Sequence, residues 1–490
     1  MKKRIINIFL VLLLAAGFNS CYDEYLSPVP ETVLSELSVF DTKERIEAQI
    51  RGVYSAYKSG QYLGGRYQVY NSIRGDLFLN LQTNGVTAYN TWNHNLDPSS
   101  NEVINLWGAI YTAINRVNMF MEGMEENYDR LMEENIITQQ VYDEFMGEAY
   151  ALRGMAFHHI IQLYARPYND DPQNWGAILR ITAQKSSEDN DMARATLAET
   201  YAQILEDLNM AESLLPEASG ANNADRITRM HSGTVAAFKS RVYLQMGDYS
   251  NVITEANKLV SASAPFTAPA GVQYALHDNF EEIFTLWTTS ESIFSIPMTT
   301  TELPGTQNFL AHYFSDAPTG GLEYPLNHDS PTWTSGEFPA DDARRLLIQE
   351  RTFQGVDYKF IHKYQQSPAL DWAPVIRYAE VLLNLAEAEV RVNNSVTTRA
   401  MALLNAVFLR SNPGAAPLDI TNVDAFIDRL MLEREMEFLG EGIENMDVMR
   451  TLSEFRPKAN VGAVGPGSTQ YVWPIPQSEL NTNQLVQPNH

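Results

Sequence analysis

Few residues in this chain are spaced for catalysis. There is no His-Glu-x-x-His pair for zinc, no Gly-x-Ser-x-Gly elbow and no phosphate-binding loop. The glycines of the stretch from Gly462 to Gly467 are interrupted by Pro466 and lack the strand–helix setting of a dinucleotide loop. His158 and His159 are adjacent in a helical stretch, so they point to different faces and cannot chelate as an i,i+4 pair would. They read as structural histidines. Two oxygen-rich runs, Asp97 to Glu102 and Asn169 to Asn174, lack EF-hand spacing and its central glycine. No cofactor is expected, with a bound calcium as the minor alternative. The 60 acidic residues include no pair that spacing alone marks as a glycosidase dyad. What stands out is binding chemistry. Aromatic rings are interleaved with side-chain amides in two irregular stretches, which hold Tyr89, Asn90, Trp92 and Asn93 in one and Asn279, Trp287, Phe309 and Trp333 in the other.

These stretches must be held by something, and the rest of the chain reads as helices. Ile46, Ile50, Val53 and Tyr57 recur at helical spacing after Asp41, a candidate cap with Glu44 three residues on. Further helical periods cover about 102–124, 138–164 and 197–215, the last stopped by Pro216. Residues 235–259 read as two helices joined at Gly247-Asp248-Tyr249, which resembles a tetratricopeptide helix pair. Helices return at 373–392, 398–410 and 423–440. The fold class expected is mainly α. It is a tetratricopeptide-like superhelical scaffold with a large loop-rich insertion carrying short strands, one of them over Ser292–Met298. The scaffold takes residues 41–60, 102–261 and 373–460. The irregular regions take 61–101 and 262–372, and a Pro-rich tail takes 461–490. Length alone suggests two or three domains. Motifs spread over 41–490 favour one.

The chain is strongly acidic, with a formal net charge of −25, which argues against nucleic acid and against a polybasic membrane surface. Its single cysteine, Cys21, excludes a disulfide framework. Lys2, Lys3 and Arg4 precede an apolar run from Ile5 to Gly17, too short to span a bilayer but suited to a signal peptide. Ser20-Cys21 after that run resembles the lipobox of bacterial lipoproteins, with Phe18 where Leu is usual. On that reading residues 1–20 are removed, Cys21 is lipidated, and 21–40 form a tether. The lipid would then anchor the protein without spanning the membrane.

Several segments, in order, resemble the SusD/RagB family of cell-surface nutrient-binding lipoproteins. They are Glu148 to Phe157 with Leu163-Tyr164, Leu215-Pro216 with Arg226-Ile227-Thr228 and Ala237 to Tyr249, Val375 to Ala388, Leu432 to Arg450, and Trp473 to Asn481. Glu444-Asn445 departs from the family's Arg and aromatic residue, and Gln484 from its Pro. Within these segments Arg377, Glu380, Glu387, Arg434 and Asp447 are read as ion pairs of the scaffold, Trp107 as core, and Trp473 as docking the tail.

The resemblance implies capture of a glycan without catalysis. It further implies delivery to a partner TonB-dependent, SusC-like transporter, over which the lipoprotein sits as a lid on the outer face of the outer membrane. Sugar faces need flat rings, and hydroxyls need amides and charges. The ligand-binding residues expected are therefore Trp92 and Trp287 first, with Arg74, Asp76, Tyr89, Asn93 and Trp333. The alternatives are a peptide-binding member of the same importer class and a surface glycan hydrolase.

Overall fold

A computed structural model describes residues 39–186, 190–218, 223–315 and 320–489. The leader, Cys21 and most of the tether lie outside the described residues. Of the described residues 49% are helix and 8% strand, as the mainly α reading requires.

The N-terminal half is built from helices packed on their apolar stripes. Helix α1 (Lys43–Tyr57) buries Ile46, Ile50, Val53 and Tyr57. Its cap is Thr42, whose side chain accepts the Arg45 N–H at 3.3 Å. The sequence pointed to Asp41, which instead pairs with Arg45 and Arg130. Helix α2 (Arg66–Ile73) lies where the sequence suggested irregular chain. All eight of its residues are buried, so it has no polar face to give a 3.6-residue period. Helices α3 (Asn101–Glu126), α4 (Gln139–Tyr164) and α5 (Leu197–Leu214) follow, with α4 packed against both of its neighbours. A capping box of Thr196 and Glu199 starts α5.

Helix α6 (Ser232–Met246) ends at Gly247, whose φ of 71° is left-handed and suits glycine. Asp248 then caps α7 (Tyr249–Ala256) by accepting the Asn251 N–H at 3.2 Å. This is the helix pair expected from Gly247-Asp248-Tyr249. Strand β1 (Ser292–Ile296) is the first strand of the insertion, followed by a hairpin of β2 (Ile348–Phe353) and β3 (Val356–Ile361). Strand β4 (Ala373–Arg377) pairs antiparallel with β1. Residues 373–377 are therefore strand, not the start of a helix. Their five residues are all buried, and a short buried apolar run reads alike in either state. Helix α8 (Tyr378–Asn393) packs on α7 and on α9 (Thr398–Ser411), and α10 (Val423–Glu437) and α11 (Glu444–Arg450) complete the scaffold.

Buried ion pairs join these layers. Arg241 on α6 meets Glu380 on α8 at 2.6 Å, and Arg434 on α10 meets Asp447 on α11 at 2.6 Å. The insertion is fastened in the same way. Its Glu291, Asp342, Arg344 and Lys363 join Arg377, Arg410, Glu433, Glu437 and Glu441 in one buried network. Phe280 and Phe284 lie against the cations of that network. The tail returns to the N-terminal half. The Trp473 N–H donates to Leu163 O at 2.8 Å, and its ring packs on Tyr70 and Tyr164. Trp107 is buried, and its Nε1 donates to Glu479 of the tail at 3.2 Å.

Candidate functional site

Of the residues expected to meet a ligand, Arg74, Asp76 and Trp92 take interior positions instead. Arg74 is 1% exposed and donates to Asn445 Oδ1 at 2.6 Å and to Tyr471 O at 2.7 Å. Asp76 accepts from Arg456 Nε at 2.8 Å. The Trp92 indole donates to Phe78 O at 2.8 Å, and Lys458 lies over its ring. The physical reason is shared. Lys458 enters from the C-terminal segment and donates to the carbonyls of Ile73, Arg74 and Gly75, closing the end of α2. These residues thus gather, but around a buried lysine. Burial pulls that lysine down to about 7 and Arg74 down to about 9. Tyr89 and Asn93 stay part-exposed at the edge of this cluster, with Tyr89 stacked on Trp92 at 5.9 Å.

Trp333 is part-exposed, but its ring is occupied by protein. His328 stacks on it at 4.7 Å, the Arg345 guanidinium lies 4.6 Å from its centroid, and Phe338 packs at 5.1 Å. Asn279 accepts the Glu281 N–H at 3.0 Å, and Phe309 precedes the short helix Leu310–Phe314. Asp97 Oδ1 is engaged by Ser99, and Asp170 by Arg166 and Asn174. Among the described residues no three His, Cys, Asp or Glu side chains gather as a metal site would require.

Trp287 is different. Its ring and that of Trp372 are 5.5 Å apart and within 9° of parallel, and both are part-exposed. Trp287 sits at the centre of a three-residue turn closed by the Thr288 N–H to Leu286 O at 2.7 Å, with φ of 55°. That is the rare γ-turn of positive φ, strained for a bulky side chain by about 1–3 kcal/mol. Leu286 beside it is 55% exposed. The segment is held from both ends, by Phe284 packed on Phe280 and Leu347 and by Glu291 in the buried ion network.

Trp372 is positioned by the loop before β4. Lys363 and Tyr364 bolt its start to the turn after α10, through bonds to Glu441 at 2.6 Å and Gly440 O at 3.0 Å. Asp371 Oδ1 accepts from the backbone N–H of Gln365 at 2.9 Å and Gln366 at 3.1 Å, closing residues 365–371. The Gln366 side-chain amide makes no hydrogen bond among the described residues. Sequence reading missed Trp372, which stands at the edge of the insertion. The signal was a tryptophan directly before a strand and next to an acid, but its stacking partner is far away in sequence. The pair offers flat part-exposed rings, and the loop that carries Trp372 also holds the uncommitted Gln366 amide, the chemistry that a C–H-rich, hydroxyl-bearing ligand requires.

Residues 24–244 match the family described as "Starch-binding associating with outer membrane", and residues 348–490 match the family described as "SusD family". The crystal structure of a SusD superfamily protein from Bacteroides fragilis superposes with a TM-score of 0.79 and 30% identity, covering 92% of this chain and 100% of that one. The chain belongs to the SusD family. Among curated SusD-like proteins, P38 of Formosa agariphila is 24% identical over 99% of both chains. A laminarin-binding SusD-like protein of known structure shares the fold, with a TM-score of 0.69 and 21% identity over 91% of this chain and 99% of its own. The SusD motif residues read as scaffold are so. Arg377, Glu380, Glu387, Arg434 and Asp447 are all buried in ion pairs.

Proposed function

We propose that this SusD-family chain captures a glycan on the Trp287–Trp372 surface and passes it, unaltered, to a TonB-dependent outer-membrane transporter. The observation that carries the reading is the parallel, part-exposed indole pair held on a strained turn and a stapled loop. Stacked rings meet the apolar faces of sugars, and the Gln366 amide supplies hydroxyl partners. The laminarin-binding neighbour supports a carbohydrate as the ligand class. The acidic chain favours a neutral glycan over an anionic one. Lipidation at Cys21 would hold the protein to the outer surface, and no helix among the described residues is long and apolar enough to cross a membrane. Binding without turnover is the expected chemistry.

Native affinity gels containing laminarin, amylopectin, xylan or galactomannan test this. At least one polysaccharide should retard the wild-type protein, and Trp287→Ala and Trp372→Ala should run as if it were absent. Retardation that survives both substitutions would place the surface elsewhere. Release of reducing ends from any of these polymers would favour the hydrolase reading. Indifference to all four, with peptides co-purifying from the native transporter complex, would favour the peptide-binding one.

A further inference from the structure

We infer that Asp371 is the positioning residue of the indole pair, its carboxylate stapling the 365–371 loop so that Trp372 is presented to Trp287 and to ligand. The inference rests on the glycan-binding reading of that pair. The geometry is local and complete. Oδ1 takes both N–H groups of Gln365 and Gln366, at 2.9 and 3.1 Å, and Oδ2 also accepts from Gln366 at 3.2 Å. The Ala369 and Leu370 N–H groups turn back onto Gln366 O at 2.9 and 3.0 Å. Upstream, Lys363 and Tyr364 are fixed to Glu441 and Gly440. Downstream, β4 is locked to β1. The 365–371 loop joins these two fixed points, and Asp371 closes it one residue before Trp372.

The staple has an electrostatic consequence. Asp371 is 8% exposed, and burial pushes its carboxyl up to about 6. The ionisable side chain that feels it is Tyr364, whose own phenol is driven up by burial, then by Glu441 and Asp371, and stays neutral. The nearby cations are already committed, Lys363 to Glu441 and Arg377 to Glu291, Glu437 and Glu441. A solvated aspartate titrates near 3.9, so a closed loop takes up a proton more readily than an open one. Closure is therefore favoured as the pH falls. Between pH 7.5 and 5 the gain reaches up to about tenfold. Asparagine keeps one accepting oxygen, enough to reach both N–H groups as Oδ1 does, and removes the charge, whereas alanine removes the staple.

The test uses the full chain labelled with 5-fluorotryptophan, with the Trp372 resonance assigned by Trp372→Phe. Without any glycan, that resonance should titrate with a midpoint near pH 6 in the wild type. It should not titrate in Asp371→Asn, and it should move to a more solvent-exposed position in Asp371→Ala. The polysaccharide retained in the affinity gels should bind the wild type up to about tenfold more tightly at pH 5 than at pH 7.5. It should bind Asp371→Asn equally at both and at least as tightly as the wild type at pH 7.5. A Trp372 resonance indifferent to Asp371→Ala overturns the inference, as does wild-type pH dependence surviving in Asp371→Asn. If the resonance responds as described while none of the four polysaccharides is retained, the positioning role stands and the glycan reading falls.

Discussion

Arg450 grips Glu387 with two parallel hydrogen bonds, Nη1 to Oε1 at 2.8 Å and Nη2 to Oε2 at 2.7 Å, and so ties α11 to α8 inside the scaffold. Arg450 Nε also donates to Asp447 at 2.8 Å. Burial raises both carboxyls, but Arg450 and Arg434 more than offset it and hold them below the usual range. Their contribution is therefore full above about pH 4.5 and is lost as the pH falls below it. Arg450→Met leaves two buried carboxylates short of a partner. Urea unfolding at pH 7 should show a loss of about 3–5 kcal/mol, shrinking toward pH 4.

Glu444 behaves in the opposite sense. Its Oε2 is buried with no hydrogen bond, and burial together with Asp76 and Glu435 drives its carboxyl well above the usual range. A carboxyl raised in the fold costs stability once the pH exceeds its unfolded value. Glu444→Gln should thus stabilise the protein by on the order of 1 kcal/mol at pH 8 and by less at pH 5. Thermal melts at the two pH values give the comparison. An equal effect at both would mean that the carboxyl is ionised throughout.

Trp92 and Trp287 separate folding from binding. Trp92 is 3% exposed and bonded to Phe78 O, so Trp92→Ala should cost about 3–5 kcal/mol. Trp287→Ala and Trp372→Ala should leave the thermal midpoint within a few degrees of wild type. Each should weaken polysaccharide binding by about 2 kcal/mol, roughly thirtyfold. Calorimetric titration beside a thermal melt reads both effects.

The turn at Trp287 yields a sharper comparison. Glycine adopts positive φ without the penalty that any Cβ brings. Trp287→Gly should therefore be more stable than Trp287→Ala by about 1 kcal/mol, although it removes more atoms. Both should lose binding alike. If the alanine variant were the more stable, the turn would have relaxed out of the left-handed region.

Much of the scaffold was legible because its helices keep one polar face. Ile46, Ile50, Val53 and Tyr57 announced α1, and Gly247-Asp248-Tyr249 announced the pair α6 and α7. Helix α2 was hidden by its own burial, since a segment covered on every side shows no period. The same blindness produced the errors at Arg74, Asp76 and Trp92. An arginine, an aspartate and a tryptophan in a glycine- and asparagine-rich stretch look like a binding surface. Only the arrival of Lys458 and Arg456 from the far end of the chain makes them interior. Trp287 was singled out from its type and its setting outside any long helix. Trp372 was missed because a stack across 85 residues leaves no mark in either local sequence.

The docking of the tail bears on when the protein can fold. Trp473 packs between Tyr70 and Tyr164, the Gln477 N–H bonds to Pro98 O, and Asn489 bonds to the carbonyls of Tyr164 and Trp473. Arg194, buried away from any carboxylate partner among the described residues, is met by Gln487 and Asn489. The core of the N-terminal helices is thus closed by residues 473–489, which are synthesised long after those helices. Such long-range closure slows folding until that segment has been made. A chain exported unfolded would gain from that delay, remaining threadable through a translocation pore until residues 473–489 can dock.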